Sequence, residues 1–196
     1  MNPMEDSYEP SHPSLFIVQF NPGKFSSSLQ AQKRFDAGEH IVLLEGLSRG
    51  PKTYTSVQCG SGLDDHVQLN SDLVYVNHSC APNVAFDLSA SDPSQWHLRA
   101  LRTISPGDSL TFFYPSTEWD MDQAFDCQCN TENCLGRIQG ARYLRKDVLS
   151  LRGFINPWIL TLANHRDANT TKSECAECGY GVAVDGSAGR CGCKPT

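Results

Sequence analysis

Nine cysteines stand in 196 residues, at positions 59, 80, 127, 129, 134, 175, 178, 191 and 193. Thiolates hold soft cations, and their spacing decides whether a cation can be gripped. Cys127, Cys129 and Cys134 form C-x-C-x4-C, three sulfurs able to close on one face of a tetrahedral ion. Structural zinc takes four ligands, and no further Cys or His adjoins that cluster. The missing ligand must come from elsewhere in the chain, and Cys80 is a candidate. Cys175, Cys178, Cys191 and Cys193 form C-x2-C-x12-C-x-C, a complete set for a second zinc. The alternative for that second set is a disordered, Cys-rich tail. Cys59 is left over and reads as a small buried hydrophobe.

Cys80 sits in "VYVNHSCAPNVAFD", residues 74–87, where an apolar run breaks into a polar cluster. Asn, Ser and Pro make turns, but a turn requires neither the His nor the Cys. Composition narrows the setting. Hydrophobic residues make up 39% and charged residues 19%, which fits a globular protein, and the net charge is −6. An acidic chain is a poor general nucleic-acid binder, because such binding needs basic groups to displace counterions. It suits a basic partner such as a Lys-rich peptide. The first residues, MNPMEDSYEPSHPS, lack the basic and apolar regions of a secretory signal. No run approaches the about 18 apolar residues of a membrane span. A nuclear or cytoplasmic setting is therefore expected, where thiols stay reduced and clustered cysteines read as metal ligands.

The elements that must position these groups are short. "LFIVQF", "EHIVLLEG", "VQLN", "LVYV", "NVAFD", "WHLRAL" and "SLTFFY" read as strands, separated by Asn-Pro-Gly, Ser-Arg-Gly-Pro and Ser-Pro-Gly-Asp turns. This predicts a mainly β domain with short helices, ending near Tyr114. Tyr143, Leu144, Val148, Leu149 and Leu151 predict a short amphipathic helix. "NPWILTLANHR" predicts another, with Asn156 as N-cap and Pro157 at the first helical position. Residues 1–14 read as a flexible arm, and 169–196 as a Cys-rich tail too poor in apolar residues to fold without a staple.

Several segments resemble the SET domain, the fold of lysine methyltransferases that use S-adenosylmethionine. "NHSCAPN" at 77–83 is similar to the family's N-H-S-C-x-P-N motif, and "GDSLTFFY" at 107–114 to its later aromatic motif. "CQCNTENCLGRI" at 127–138 resembles the post-SET zinc segment, and "FDAGEHI" at 35–41 an early turn and strand. Two positions depart from the pattern. "NPGKFSSSLQ" stands where a G-x-G motif is usual, and Phe113 where an Asp is usual.

The resemblance implies a β-clip-like fold with a pseudoknot, in which a late segment threads under a loop and brings Asn77, His78 and Tyr114 together. It implies a SET domain over 15–116, a post-SET zinc segment over 117–140, a helical extension over 141–168 and the small Cys-rich zinc module. Cys80 then completes the zinc site of Cys127, Cys129 and Cys134. Asn77, His78, Lys24 and Tyr114 are expected at the S-adenosylmethionine site, with Tyr114 as the catalytic hydroxyl. Phe112 and Trp119 are expected at the substrate channel, Trp119 and Phe125 closing either that channel or the adenine pocket. Phe112 falls where Phe or Tyr occurs in the family, and Phe leaves room for di- or trimethylation. The implied substrate is a Lys-containing protein or peptide. A catalytically silent binding module, or a SET fold acting on a small-molecule amine, is the alternative.

Overall fold

The computed structural model describes residues 8–23 and 26–177, with the side chains of the last helix described to residue 169. Its strands are β1 (Phe16–Gln19), β2 (Ser28–Ala31), β3 (His40–Leu43), β4 (Ser48–Arg49), β5 (Ser56–Gln58) and β6 (His66–Gln68). They continue with β7 (Asn77–His78), β8 (Val84–Asp87), β9 (His97–Ala100), β10 (Thr111–Phe112), β11 (Phe125–Asp126) and β12 (Arg137–Ile138). Two helices follow, α1 (Lys146–Ser150) and α2 (Pro157–Glu177). No helix among the described residues is long and apolar enough to cross a membrane.

The strands form small sheets: β1 with β2, β3–β9–β8, β4–β6–β5, β7 with β10, and β11 with β12. Chain turns every few residues keep the strands short, so stability rests on side chains packed between sheets. Phe16, Leu29, Phe35, Phe86, Leu98, Ile104 and Leu110 are almost fully buried in that shared core.

A late segment is gripped by the 77–83 turn from two sides. Strand β10 runs parallel to β7, pairing Thr111 with Asn77 and Phe112 with His78. Asn83, 5% exposed, accepts the Thr111 N–H on Oδ1 at 2.8 Å and donates Nδ2 to the Ser109 carbonyl at 2.9 Å. Its backbone N–H donates to the Thr111 carbonyl. The turn's closing residue is thus a clamp on β10.

Behind β10 lies a second core. Phe113, Ala141, Leu149, Ile159 and Ala163 are buried together, with Trp119, Leu135, Leu144 and Trp158 packed around them. Phe113, standing where the family usually has Asp, is the apolar seat for α1 and α2. Asn156 is fully buried and accepts from the Leu88 N–H while donating to the Phe86 and Ser116 carbonyls. Helix α2 begins at Pro157 as expected, yet Asn156 commits its amide to joining β8, the turn after Tyr114 and α2.

Three local expectations change. "LVYV" is not a strand but a 3-10 turn over Asp72–Tyr75. The arm explains it: Asp72 accepts bonds from the Tyr8 hydroxyl and from the Ser11 and His12 N–H groups, and its own N–H donates to Ser11 Oγ. The arm is accordingly fastened, not loose, from Tyr8 to His12. Helix α2 continues past residue 168 to Glu177, so Cys175 stands on helical backbone.

Candidate active site and metal centre

Strand β10 delivers Phe112 and then Tyr114 to the end of β7, where His78 stands. The Tyr114 ring packs against Phe112 at 4.6 Å, His78 at 5.2 Å and Phe125 at 5.9 Å between centroids. Phe112 meets Phe86 edge-on at 4.7 Å. The Tyr114 hydroxyl has no hydrogen-bond partner among the described residues. Burial, then the negative charge of Glu118, pushes its pKa up to about 12, so the phenol keeps its proton. A protonated hydroxyl in an aromatic cup can orient a ligand and stabilise developing charge without acting as a base.

His78 links this tyrosine to the cysteines. The Tyr114 N–H donates to His78 Nδ1 at 3.2 Å, and His78 Nε2 lies 3.4 Å from Cys80 Sγ. The first bond makes Nδ1 the acceptor, so Nε2 carries the proton toward sulfur. Burial, reinforced by the Arg152 charge, lowers the His78 pKa to about 4 and keeps the ring neutral. Both ring nitrogens are thereby taken, leaving only the backbone of His78 to meet a cofactor.

Cys80, Cys127, Cys129 and Cys134 bring their sulfurs within 4.8 Å of one another. Cys80 and Cys127 Sγ are 4.0 Å apart. A tetrahedron of zinc–sulfur bonds of about 2.3 Å has edges of about 3.8 Å, so the set fits zinc. The backbone N–H groups of Leu135 and Gly136 point at Cys80 and Cys134 sulfur. Burial pushes the Cys80 thiol up, so a thiolate there needs a cation beside it. Zinc bound here would act structurally, pinning the β11–β12 hairpin, and with it Phe125, against Tyr114.

Arg152, 7% exposed, lies behind this cluster. Its Nη1 donates to the Cys80 carbonyl at 2.7 Å and the Asn133 carbonyl at 3.0 Å, and its guanidinium lies over the Phe113 ring at 5.5 Å. Four thiolates around one divalent ion leave net negative charge, and a buried guanidinium offsets it.

Asn77 is half-buried and donates Nδ2 to the Ser27 carbonyl at 2.7 Å, holding β7 to the segment before β2. Its Oδ1 has no described donor. An open carbonyl oxygen, an uncommitted tyrosine hydroxyl and aromatic faces fit a cofactor that carries amine donors and a sulfonium cation. Lys24 lies outside the described residues. So do Cys178, Cys191 and Cys193, and Cys175 is described in its backbone alone. Trp119 packs into the second core beneath the Arg166 guanidinium at 5.6 Å, and its backbone N–H donates to Gln58 Oε1. Phe125, rather than Trp119, is the aromatic from that loop in ring contact with Tyr114.

Two groups carry no signal in sequence motifs. Arg152 is one basic residue among many, following α1. Glu118 falls one turn beyond Tyr114 and is 8% exposed; burial raises its pKa to about 7. Only the i, i+4 spacing from the tyrosine could have drawn the eye to it.

The SET domain family model matches residues 12–115. Over 155 residues the chain is 43% identical to "Methyltransferase flvH" of Aspergillus flavus, covering 79% of this chain and 84% of that protein. It is 42% identical over 72 residues to "Histone-lysine N-methyltransferase Suv4-20" of Caenorhabditis elegans, covering 36% of this chain and 23% of that protein. With "Histone-lysine N-methyltransferase mes-4" of Caenorhabditis elegans it shares 36% identity over 78 residues, 35% of this chain but 8% of that protein. The crystal structure of KRYPTONITE with mCHG DNA and SAH superposes with a TM-score of 0.46 at 20% identity, covering 62% of this chain and 29% of that one. The chain belongs to the SET-domain family. It is an S-adenosylmethionine-dependent methyltransferase.

Proposed function

We propose that the protein methylates a lysine ε-amine in a protein or peptide, with Tyr114 as the catalytic hydroxyl. The observation that carries this reading is the protonated hydroxyl of the half-buried Tyr114, left without a protein partner beside the Phe112, His78 and Phe125 rings. S-adenosylmethionine supplies the electrophilic methyl group when bound. Asn77, the His78 backbone and the Tyr114 hydroxyl are the groups that would hold it, with Lys24 added by the family pattern. The substrate amine must arrive neutral, although a free lysine near neutral pH is charged, a penalty of about 4–5 kcal/mol. Apolar walls such as Phe112 and Phe125 lower that amine's pKa by withholding water. Phe112 brings no hydroxyl to hold a water beside the amine, which leaves room for a second and third methyl group.

The histone-lysine enzymes among the relatives support a lysine substrate, as does the net charge of −6, which favours a basic peptide. A second reading has one specific support. The relative matched over 84% of its length is named only as a methyltransferase, so a small-molecule amine is the competing substrate class. Arrayed lysine peptides and small amines incubated with labelled S-adenosylmethionine separate the two. Label on peptides, with di- or trimethyl-lysine by mass spectrometry, is expected. Label on small amines alone would overturn the peptide reading, and monomethyl product alone would overturn the role given to Phe112.

A further inference from the structure

We propose that Glu118 receives the substrate amine, binding it as the ammonium and taking its proton before methyl transfer. This rests on the amine-methylation reading above. The residue lies one turn beyond Tyr114, its backbone N–H donating to the Tyr114 carbonyl at 3.0 Å, and its carboxylate is near enough for the tyrosine to feel its charge. The side chain is 8% exposed, and one oxygen is committed. Oε1 accepts the Gln58 N–H at 2.7 Å and lies 3.4 Å from Thr117 Oγ1. Oε2 has no donor among the described residues. That oxygen keeps contact with solvent, so an arriving ammonium can reach it, and a carboxylate so little hydrated gains from a cationic partner.

Three titratable or charged groups share its field. Tyr114 feels its charge, as does the half-buried Cys59 at the end of β5. Lys52 is the third, but its ammonium donates to the Asp120 carbonyl at 2.9 Å and forms no ion pair with Glu118. Burial sets the carboxyl's pKa near neutrality, so it can both hold an ammonium and accept a proton from it. In the step, one N–H bond of the ammonium breaks and an O–H bond forms on Oε2. The nitrogen retains the electron pair with which it attacks.

Loop placement favours this role. The Trp119 backbone N–H donates to Gln58 Oε1 while Glu118 Oε1 accepts from the Gln58 backbone N–H, so the carboxylate is bonded to β5 directly and its loop is tied there by a second bond. A group fixed that firmly keeps its position when it ionises.

The probe is n-butylamine, which carries the amine and stem of lysine. It is titrated by NMR into zinc-loaded protein holding S-adenosylhomocysteine, at about pH 6 and about pH 8. Wild type is expected to bind it several-fold more tightly at the higher pH, where Glu118 is ionised. Glu118→Gln keeps the acceptor for Gln58 and should erase that difference, while Glu118→Asp should retain it. Binding in Glu118→Gln equal to wild type, a pH-independent wild type, or no wild-type binding overturns the assignment. Methyl transfer to the amine and peptide arrays is scored separately. Binding intact without transfer would sink the functional reading and leave cation capture by Glu118 standing.

Discussion

Glu118 and Arg152 are opposite charges buried on either side of the tyrosine segment, and each makes a prediction. The Glu118 carboxyl has a pKa of about 7 in the fold, above its unfolded value. The folded state therefore prefers the protonated form. Its stabilising contribution is full below the unfolded carboxyl's pKa and is gone once pH has risen through about 7. Glu118→Gln should then match wild-type stability in acid and exceed it at about pH 8, by up to about 3 kcal/mol. Chemical denaturation at both pH values reads this, and a variant less stable than wild type at the higher pH would contradict it. Arg152→Met keeps much of the volume but removes the donors to Cys80 and Asn133 and the positive charge. Zinc affinity, measured by competition with a chromophoric chelator, should fall about 10–100-fold. Unchanged affinity would mean that the guanidinium serves packing on Phe113 alone.

Among the elements, the β7–β10 pair and the β11–β12 hairpin have separable jobs. Asn83 holds β10, and Asn83→Ala leaves the Thr111 N–H and the Ser109 carbonyl without their side-chain partner. The loss should be about 2–4 kcal/mol in a urea titration, with Asn83→Asp intermediate because it keeps the acceptor. A neutral Asn83→Ala would show that β7 pairing alone suffices. The hairpin instead depends on the cysteines and on Gly140, whose φ is +121°. A Cβ there would lie 2.5 Å from the Trp119 carbonyl oxygen, so the chain crosses the 118–121 loop only at a glycine. Chelation of zinc should release Phe125 from Tyr114 and abolish methyl transfer while the sheets around Phe86 and Leu98 persist. Activity that survives complete zinc removal, or loss of the whole fold with the metal, would contradict this division.

At the scale of the molecule, what could be read in the sequence was what repeats a local pattern. Strands β1, β3, β8 and β9 follow from short apolar runs bounded by turn residues, and α2 from Asn-Pro followed by an apolar stripe. The four-cysteine set is legible because the C-x-C-x4-C cluster lacks a fourth ligand and the "NHSC" turn offers one. Two-residue strands such as β7 and β10 carry no period, and their pairing is made by a chain crossing that local sequence does not encode. "LVYV" misleads for the same reason, because Asp72 answers to Tyr8 and Ser11, some sixty residues earlier. Phe113 reads as one more core aromatic, although it seats a second core made of helices from the far end of the chain. Tyr114 was visible from its motif, but the buried charges around it were not.

Methyl transfer as proposed turns on the Tyr114 hydroxyl, and the direct test is transfer of labelled methyl from S-adenosylmethionine by wild type and Tyr114→Phe. Both proteins should be zinc-loaded and shown to bind S-adenosylhomocysteine equally. The wild type should give labelled lysine and the variant a rate lower by about 10²–10³, with cofactor binding retained. Equal rates in the two proteins would contradict it and move the catalytic hydroxyl away from this site.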